Sequence, residues 1–111
     1  MGSFTFNLDH GEKAVNVVVE GMFNQQNAVD FMSEYQRNVA GIKTAEYALL
    51  FDAKNLKVSS QEMLPMLEEC MKLYDRTGFQ KIVINMGSSV IAKTQMKKVV
   101  AKTGLRNCEV L

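Results

Sequence analysis

Two hydrophobic periods alternate along this chain, and their order leaves little choice of architecture. Residues 4–8 set Phe4, Phe6 and Leu8 against Thr5 and Asn7, the period of two that gives a strand one apolar face. Residues 14–21 hold Val15, Val17, Val18 and Val19, whose branching at Cβ suits pleated backbone. Only the turn Asp9-His10-Gly11-Glu12-Lys13 separates the two. It is too short for a crossover, so they must pair as an antiparallel hairpin.

The period then changes. From residue 25 to about 41, Ala28, Met32, Tyr35, Val39 and Ile42 recur at spacings of three and four, with Phe31 widening the stripe of an amphipathic helix. Asn24 or Asn27 can cap its start, and Gly41 is the expected stop. A third strand is predicted over residues 47–53, where Ala48-Leu49-Leu50-Phe51 lacks polar alternation and reads as a central strand covered on both faces. Ser59-Ser60-Gln61-Glu62 has the form of a capping box that starts a second helix running to about Thr77. Met63, Leu67, Cys70, Met71 and Tyr74 point inward in that helix, Pro65 sits near its beginning, and Gly78 ends it. Residues 81–86 form a fourth strand. Gly87-Ser88-Ser89 leads into a third helix, with Ala92, Met96, Val99 and Val100 inward and Gly104 as terminator, and residues 107–111 supply a short last strand.

The order β-β-α-β-α-β-α-β, without linker or repeat, describes one α/β domain over residues 1–111, with residues 1–3 read as a cloning remnant or a disordered start. Strands alternating with helices imply a mixed, mostly parallel sheet with an antiparallel N-terminal hairpin. The composition agrees, since 47% hydrophobic residues over 111 positions are enough for a core. No apolar run approaches the roughly 18 residues of a membrane span. Without a basic and apolar leader, and with only Cys70 and Cys108 as thiols, the chain reads as cytoplasmic.

Ligands in open α/β sheets gather at the carboxyl ends of the strands, where helix N-termini offer unpaired amides. Two serine pairs fall there, Ser59-Ser60 and Ser88-Ser89, either as anion or phosphoacceptor sites or as ordinary caps, the commoner meaning of such serines. Gly87-Ser88-Ser89 has neither the glycine spacing of a dinucleotide loop nor the Gly-Lys-Ser/Thr ending of a phosphate loop. His10, the only histidine, lies in a turn expected to be solvated, Cys70 is expected as a small apolar core group, and Asp52 as a turn or cap residue. No nucleophile, base or metal set can be assembled, which argues against an enzyme, a cofactor or a metal.

Charge is unevenly spread under the formal net of +1. Residues 1–80 carry 7 basic and 11 acidic side chains, and residues 81–111 carry 6 basic and 1 acidic. Lys93, Lys97, Lys98 and Lys102 make the exposed side of the third helix basic, a face open to anionic partners. No aromatics interleave with these lysines and no arginine cluster joins them, so nucleic-acid readout is not expected, and a solvated face or a docking face for an acidic partner is favoured.

Strand 15–21 ending in Glu20-Gly21-Met22-Phe23, the strand Ala48-Leu49-Leu50-Phe51-Asp52 with its loop to Val58-Ser59-Ser60, and the closing helix with Thr103-Gly104-Leu105 together resemble a STAS domain, the SpoIIAA-like fold of anti-sigma factor antagonists. The resemblance covers nearly the whole chain in element order. Members of that family carry Asp-Ser-Ser/Thr-Gly at the start of the second helix, with a hydroxyl that a partner kinase phosphorylates. The matching stretch here is Val58-Ser59-Ser60-Gln61, which keeps the serines and replaces the flanking Asp and Gly. The resemblance implies a regulatory domain that docks on a protein partner, an anti-sigma factor or kinase, through Val58, Ser59, Ser60 and Gln61, and it leaves a homodimer open. A second reading is a carrier or sensor for a small apolar ligand held between helix and sheet, motivated by Met63, Met66 and Met71 beside Phe23, Phe31 and Phe79. A pocket of roughly 300 Å³ there would favour it, and a filled core would not.

Overall fold

The alternating N-terminal segments pair as expected in the computed structural model, which describes residues 2–57 and 61–111. β1 (Ser3–Asp9) and β2 (Ala14–Gly21) run antiparallel with Phe4 opposite Val19, Phe6 opposite Val17 and Leu8 opposite Val15. α1 (Gln25–Val39), β3 (Ala48–Leu56), α2 (Leu64–Thr77), β4 (Lys81–Asn85), α3 (Val90–Thr103) and β5 (Cys108–Val110) follow. The sheet order is β1-β2-β3-β4-β5, antiparallel in the first pair and parallel thereafter. This is the α/β architecture that the sequence pattern predicts.

The sequential strand order has a geometric consequence. Right-handed crossovers that always step the same way place every helix on the same face of the sheet. Leu8, Val15, Leu49, Ile82 and Cys108 align across that face, as do Phe6, Val17, Phe51, Ile84 and Val110. Helix residues Phe31, Tyr35, Met71, Tyr74, Met96 and Val99 close over them in one core. The opposite face carries Asn7, Asn16, Leu50, Val83 and Glu109 in one row and bears no helix. The expectation that β3 is covered on both faces is therefore corrected. Leu49 and Phe51 are buried, whereas Leu50 is only half-buried on the open side. Asp52, expected in a turn, lies within β3 on that side, with its carboxylate 3.8 Å from the Lys54 ammonium.

Local chemistry fixes the helix ends. The Asn24 side chain accepts from the Asn27 amide at 2.8 Å, and the Asn27 side chain accepts from the Asn24 amide at 3.0 Å, a reciprocal cap on α1. The Gly2 amide adds a third bond to Asn27 at 3.2 Å, just ahead of Ser3 at the start of β1. At its other end α1 stops at the right-handed cap Ala40, and Gly41 is not among the positive-φ glycines, so the expected glycine stop is not used. Gly78 and Gly104, with φ of 78° and 71°, do terminate α2 and α3 in the left-handed conformation. α2 is the larger departure. It begins only at Leu64, after a 3₁₀ turn over Gln61–Met63, rather than at the serines. Pro65 explains this, because a helix started at Ser59 would need the absent Pro65 amide to reach the Gln61 carbonyl.

Phe31 is the hub of the core. Its ring centroid lies 5.5 Å from Phe4, 5.2 Å from Phe6, 6.3 Å from Phe23, 6.4 Å from Tyr35 and 6.2 Å from Phe51, tying the hairpin, α1 and β3 together. Phe31→Ala should cost about 3–5 kcal/mol through lost burial and the cavity left behind. Urea unfolding followed by circular dichroism checks this through the transition midpoint, and a shift no larger than that of an exposed control such as Thr94→Ala would contradict the assignment.

Candidate functional site

The carboxyl ends of β2, β3 and β4 meet at one end of the sheet. There the Lys57 amide donates to the Gly21 carbonyl at 2.9 Å, holding the exit of β3 against the end of β2. Of the predicted phosphoacceptor stretch, Val58, Ser59 and Ser60 lie outside the described residues, and with them the serine half of the expected capping box. Gln61 and Glu62 are both exposed in the 3₁₀ turn. Met63, at the N-cap of α2, supplies no side-chain hydrogen bond.

The second serine pair behaves as a cap. The Ser89 hydroxyl accepts from the Ala92 amide at 3.3 Å, and the Ser89 carbonyl from the Lys93 amide at 3.0 Å, while Ser88 is exposed. The residues that follow escaped the sequence reading. Val90 and Ile91 are 75% and 72% exposed in the first turn of α3. Their positions on the helix wheel, away from Ala92, Met96 and Val99, could have signalled it.

The four lysines do not act as one set. Lys102 reaches across to α2 and pairs with Glu68 at 2.8 Å, and Arg106 lies 3.4 Å from Asp75. Lys97 and Lys98 are exposed and Lys93 is half-buried, and none of the three has an anionic partner among the described residues. Among the same residues no group of three His, Cys, Asp or Glu could hold a metal ion, and no helix is long and apolar enough to cross a membrane.

An apolar cavity of about 90 Å³ lies between α1, α2 and the sheet. Phe23, Ala28 and Phe31 line it from the α1 side, Val19, Ala53 and Leu56 from the strands, and Met63, Met66, Leu67 and Met71 from the start of α2. The predicted methionines and two of the three predicted phenylalanines are thus brought together. Phe79 instead packs 6.4 Å from Tyr35. The space is smaller than the pocket expected for a whole ligand and yet not filled.

Two pairings were invisible to sequence periodicity because they join distant segments. His10, although in an exposed turn, has Nδ1 2.7 Å from the Tyr47 hydroxyl. The Tyr35 hydroxyl donates to Thr77 Oγ1 at 2.7 Å, and Thr77 Oγ1 donates in turn to the Leu73 carbonyl at 2.7 Å, tying α1 to the last turn of α2.

No protein-family model matches this chain, and no curated protein matches it. Solved structures do. An uncharacterised protein of the DUF3478 family with a SpoIIAA-like fold, from Shewanella loihica, superposes with a TM-score of 0.69 at 15% identity, over 99% of this chain and 85% of that one. The anti-sigma factor antagonist SpoIIAA in its unphosphorylated form superposes with a TM-score of 0.63 at 11% identity, over 98% of this chain and 88% of that one. The fold is therefore SpoIIAA-like, in a divergent sequence.

Burial sets the chemistry of the thiols. It pushes Cys70 up to about 11, with Tyr74 and Glu69 as lesser influences, and Cys108 up to about 11. It also raises Tyr35 to about 12 and Tyr74 well above its usual value. All four are neutral when protonated, so the folded chain holds their protons more tightly than the unfolded chain does. The stability the two thiols contribute is present below their unfolded value of 9.0 and is lost as pH climbs through about 11. The urea midpoint should fall over that interval, and Cys70→Ala should shallow the fall. A midpoint that rises there would overturn the reading.

Proposed function

We propose that this protein is a small intracellular binding domain that regulates a protein partner by docking, with Ser59 or Ser60 as the regulated position. The observation that carries this reading is the fold itself. Over 98% of the chain it parallels a protein described as an anti-sigma factor antagonist, and this sequence keeps two serines between β3 and α2. Cys70 and Cys108 are both free, in keeping with a reducing compartment. A phosphate at that junction adds about −1.5 to −2 charge at the edge of a docking surface, enough to reject an acidic or apolar contact without disturbing the core. An anti-sigma factor or a kinase is the class of partner that this reading implies.

Incubation with ATP and host lysate, followed by mass spectrometry, should find phosphate on Ser59 or Ser60. Ser59→Asp with Ser60→Asp should capture several-fold less partner in cross-linking than the unmodified chain does. Phosphate confined to other residues would remove the regulated position, and a partner held equally by both forms would remove the switch.

A narrower second reading is that the domain senses or carries the end of a small apolar ligand in the cavity, whose volume is well short of the roughly 300 Å³ that would hold a whole one. The cavity walls are apolar and include adaptable methionines, and 90 Å³ admits the end of an aliphatic chain rather than a whole lipid. Decanoate should then raise the thermal midpoint in a concentration-dependent way, because a ligand that binds only the folded state stabilises it by mass action. Ala28→Leu, which fills the space from the α1 side, should abolish that rise. A midpoint indifferent to decanoate in the unmodified protein would eliminate this reading.

A further inference from the structure

Val90 and Ile91 stand out among the apolar side chains. At 75% and 72% exposed they contribute almost nothing to the core, and they stand on the outer arc of α3 rather than in a groove. The next turns of the same arc carry Thr94, Lys97 and Lys98, with Lys93 on its flank. α3 therefore has two amphipathic faces. One, built from Ala92, Met96 and Val99, closes the core, and the other is an apolar tip followed by cations.

We propose that this outer face of α3 is a docking surface for an anionic lipid bilayer, with Val90 and Ile91 entering the interface and Lys93, Lys97 and Lys98 lying at the level of the headgroups. Charge complementarity points to an anionic surface. None of these three lysines has an acidic partner among the described residues, whereas Lys102 and Arg106, which face α2, are each paired with an acid. The shape points to a bilayer over an acidic protein. A protruding pair of branched side chains needs a matching pocket on a protein, whereas a bilayer accepts it without one. The cations are all lysines, hydrated point charges suited to diffuse headgroup attraction. Arginine is the usual choice for bidentate carboxylate recognition. Two apolar side chains and three charges make a reversible contact, and binding of this kind is strongly weakened by salt.

Co-sedimentation of the whole protein tests this, with vesicles of phosphatidylcholine alone and of phosphatidylcholine mixed with phosphatidylserine. The protein should pellet with the mixed vesicles at low salt, stay in solution with phosphatidylcholine alone, and leave the mixed vesicles as salt rises. Replacing Lys93, Lys97 and Lys98 by Gln should weaken partitioning by about five-fold for each charge removed. Val90→Ser with Ile91→Ser should abolish pelleting while leaving the thermal midpoint unchanged, since both side chains are largely outside the core. Absence of binding to the mixed vesicles overturns the proposal. So does full binding by the Val90/Ile91 double variant, which would leave charge alone as the cause. Loss of an acidic protein partner in that variant, with vesicles ignored throughout, would reassign the face to protein docking.

Discussion

The rest of this structure depends on a topological constraint, that each parallel strand is laid down beside the previous one and every crossover turns to the right. Together these force α1, α2 and α3 onto one face of a five-stranded sheet. The core is consequently one layer deep, and each strand spends alternate side chains on it. Val15, Val17 and Val19 go in, while Asn16 and Glu20 go out. With so few strand positions available per helix, large aromatic side chains bridge the elements of the core. That is why one residue, Phe31, touches rings from the hairpin, its own helix and β3.

The same constraint gathers the ends of β2, β3 and β4 at one pole and leaves the far face of the sheet without helices. Asn7, Asn16 and Glu109 keep that face polar around Leu50 and Val83. The dominance of Lys and Arg after residue 80 acquires a structural meaning here. Part of it is internal, since Lys102 and Arg106 neutralise Glu68 and Asp75 and so join α3 and the loop after it to α2. Lys81 stands at the start of β4, and the remaining Lys93, Lys97 and Lys98 are what α3 presents outward.

Elements whose cause is local were legible in the sequence. The hairpin was, because five turn residues leave no alternative to antiparallel pairing, and so was the start of α1, because Asn24 and Asn27 satisfy each other's backbone. Gly78 and Gly104 were read correctly as helix ends. Gly41 was not, because a glycine permits a left-handed cap without requiring one, and α1 closes instead through the Ala40 amide on the Gln36 carbonyl at 3.1 Å. The α-helical start of α2 lies later than Ser59 because Pro65 has no amide to offer, while the serine half of the expected capping box lies outside the described residues. Leu50 was misread because an apolar run does not reveal that only one face has a helix to meet it. Of the candidate site, the helix and sheet residues facing the cavity were foreseeable from periodicity. The empty space between them was not, because a void is set by how side chains from several elements fail to meet.

Both functional readings converge on the first turn of α2. Met63 and Met66 form part of the cavity wall, and Gln61 and Glu62, immediately before them, stand exposed beside the serine stretch. The turn is weakly specified, with a methionine in the capping position and a proline that delays the helix. Weak specification of this sort lowers the free energy of local rearrangement relative to the rest of the fold. A ligand in the cavity would press on the inner side of the segment whose outer side a partner would touch. The two activities would then be linked through one element: if that turn took a second arrangement, a ligand that bound one of the two better would act reciprocally on the partner.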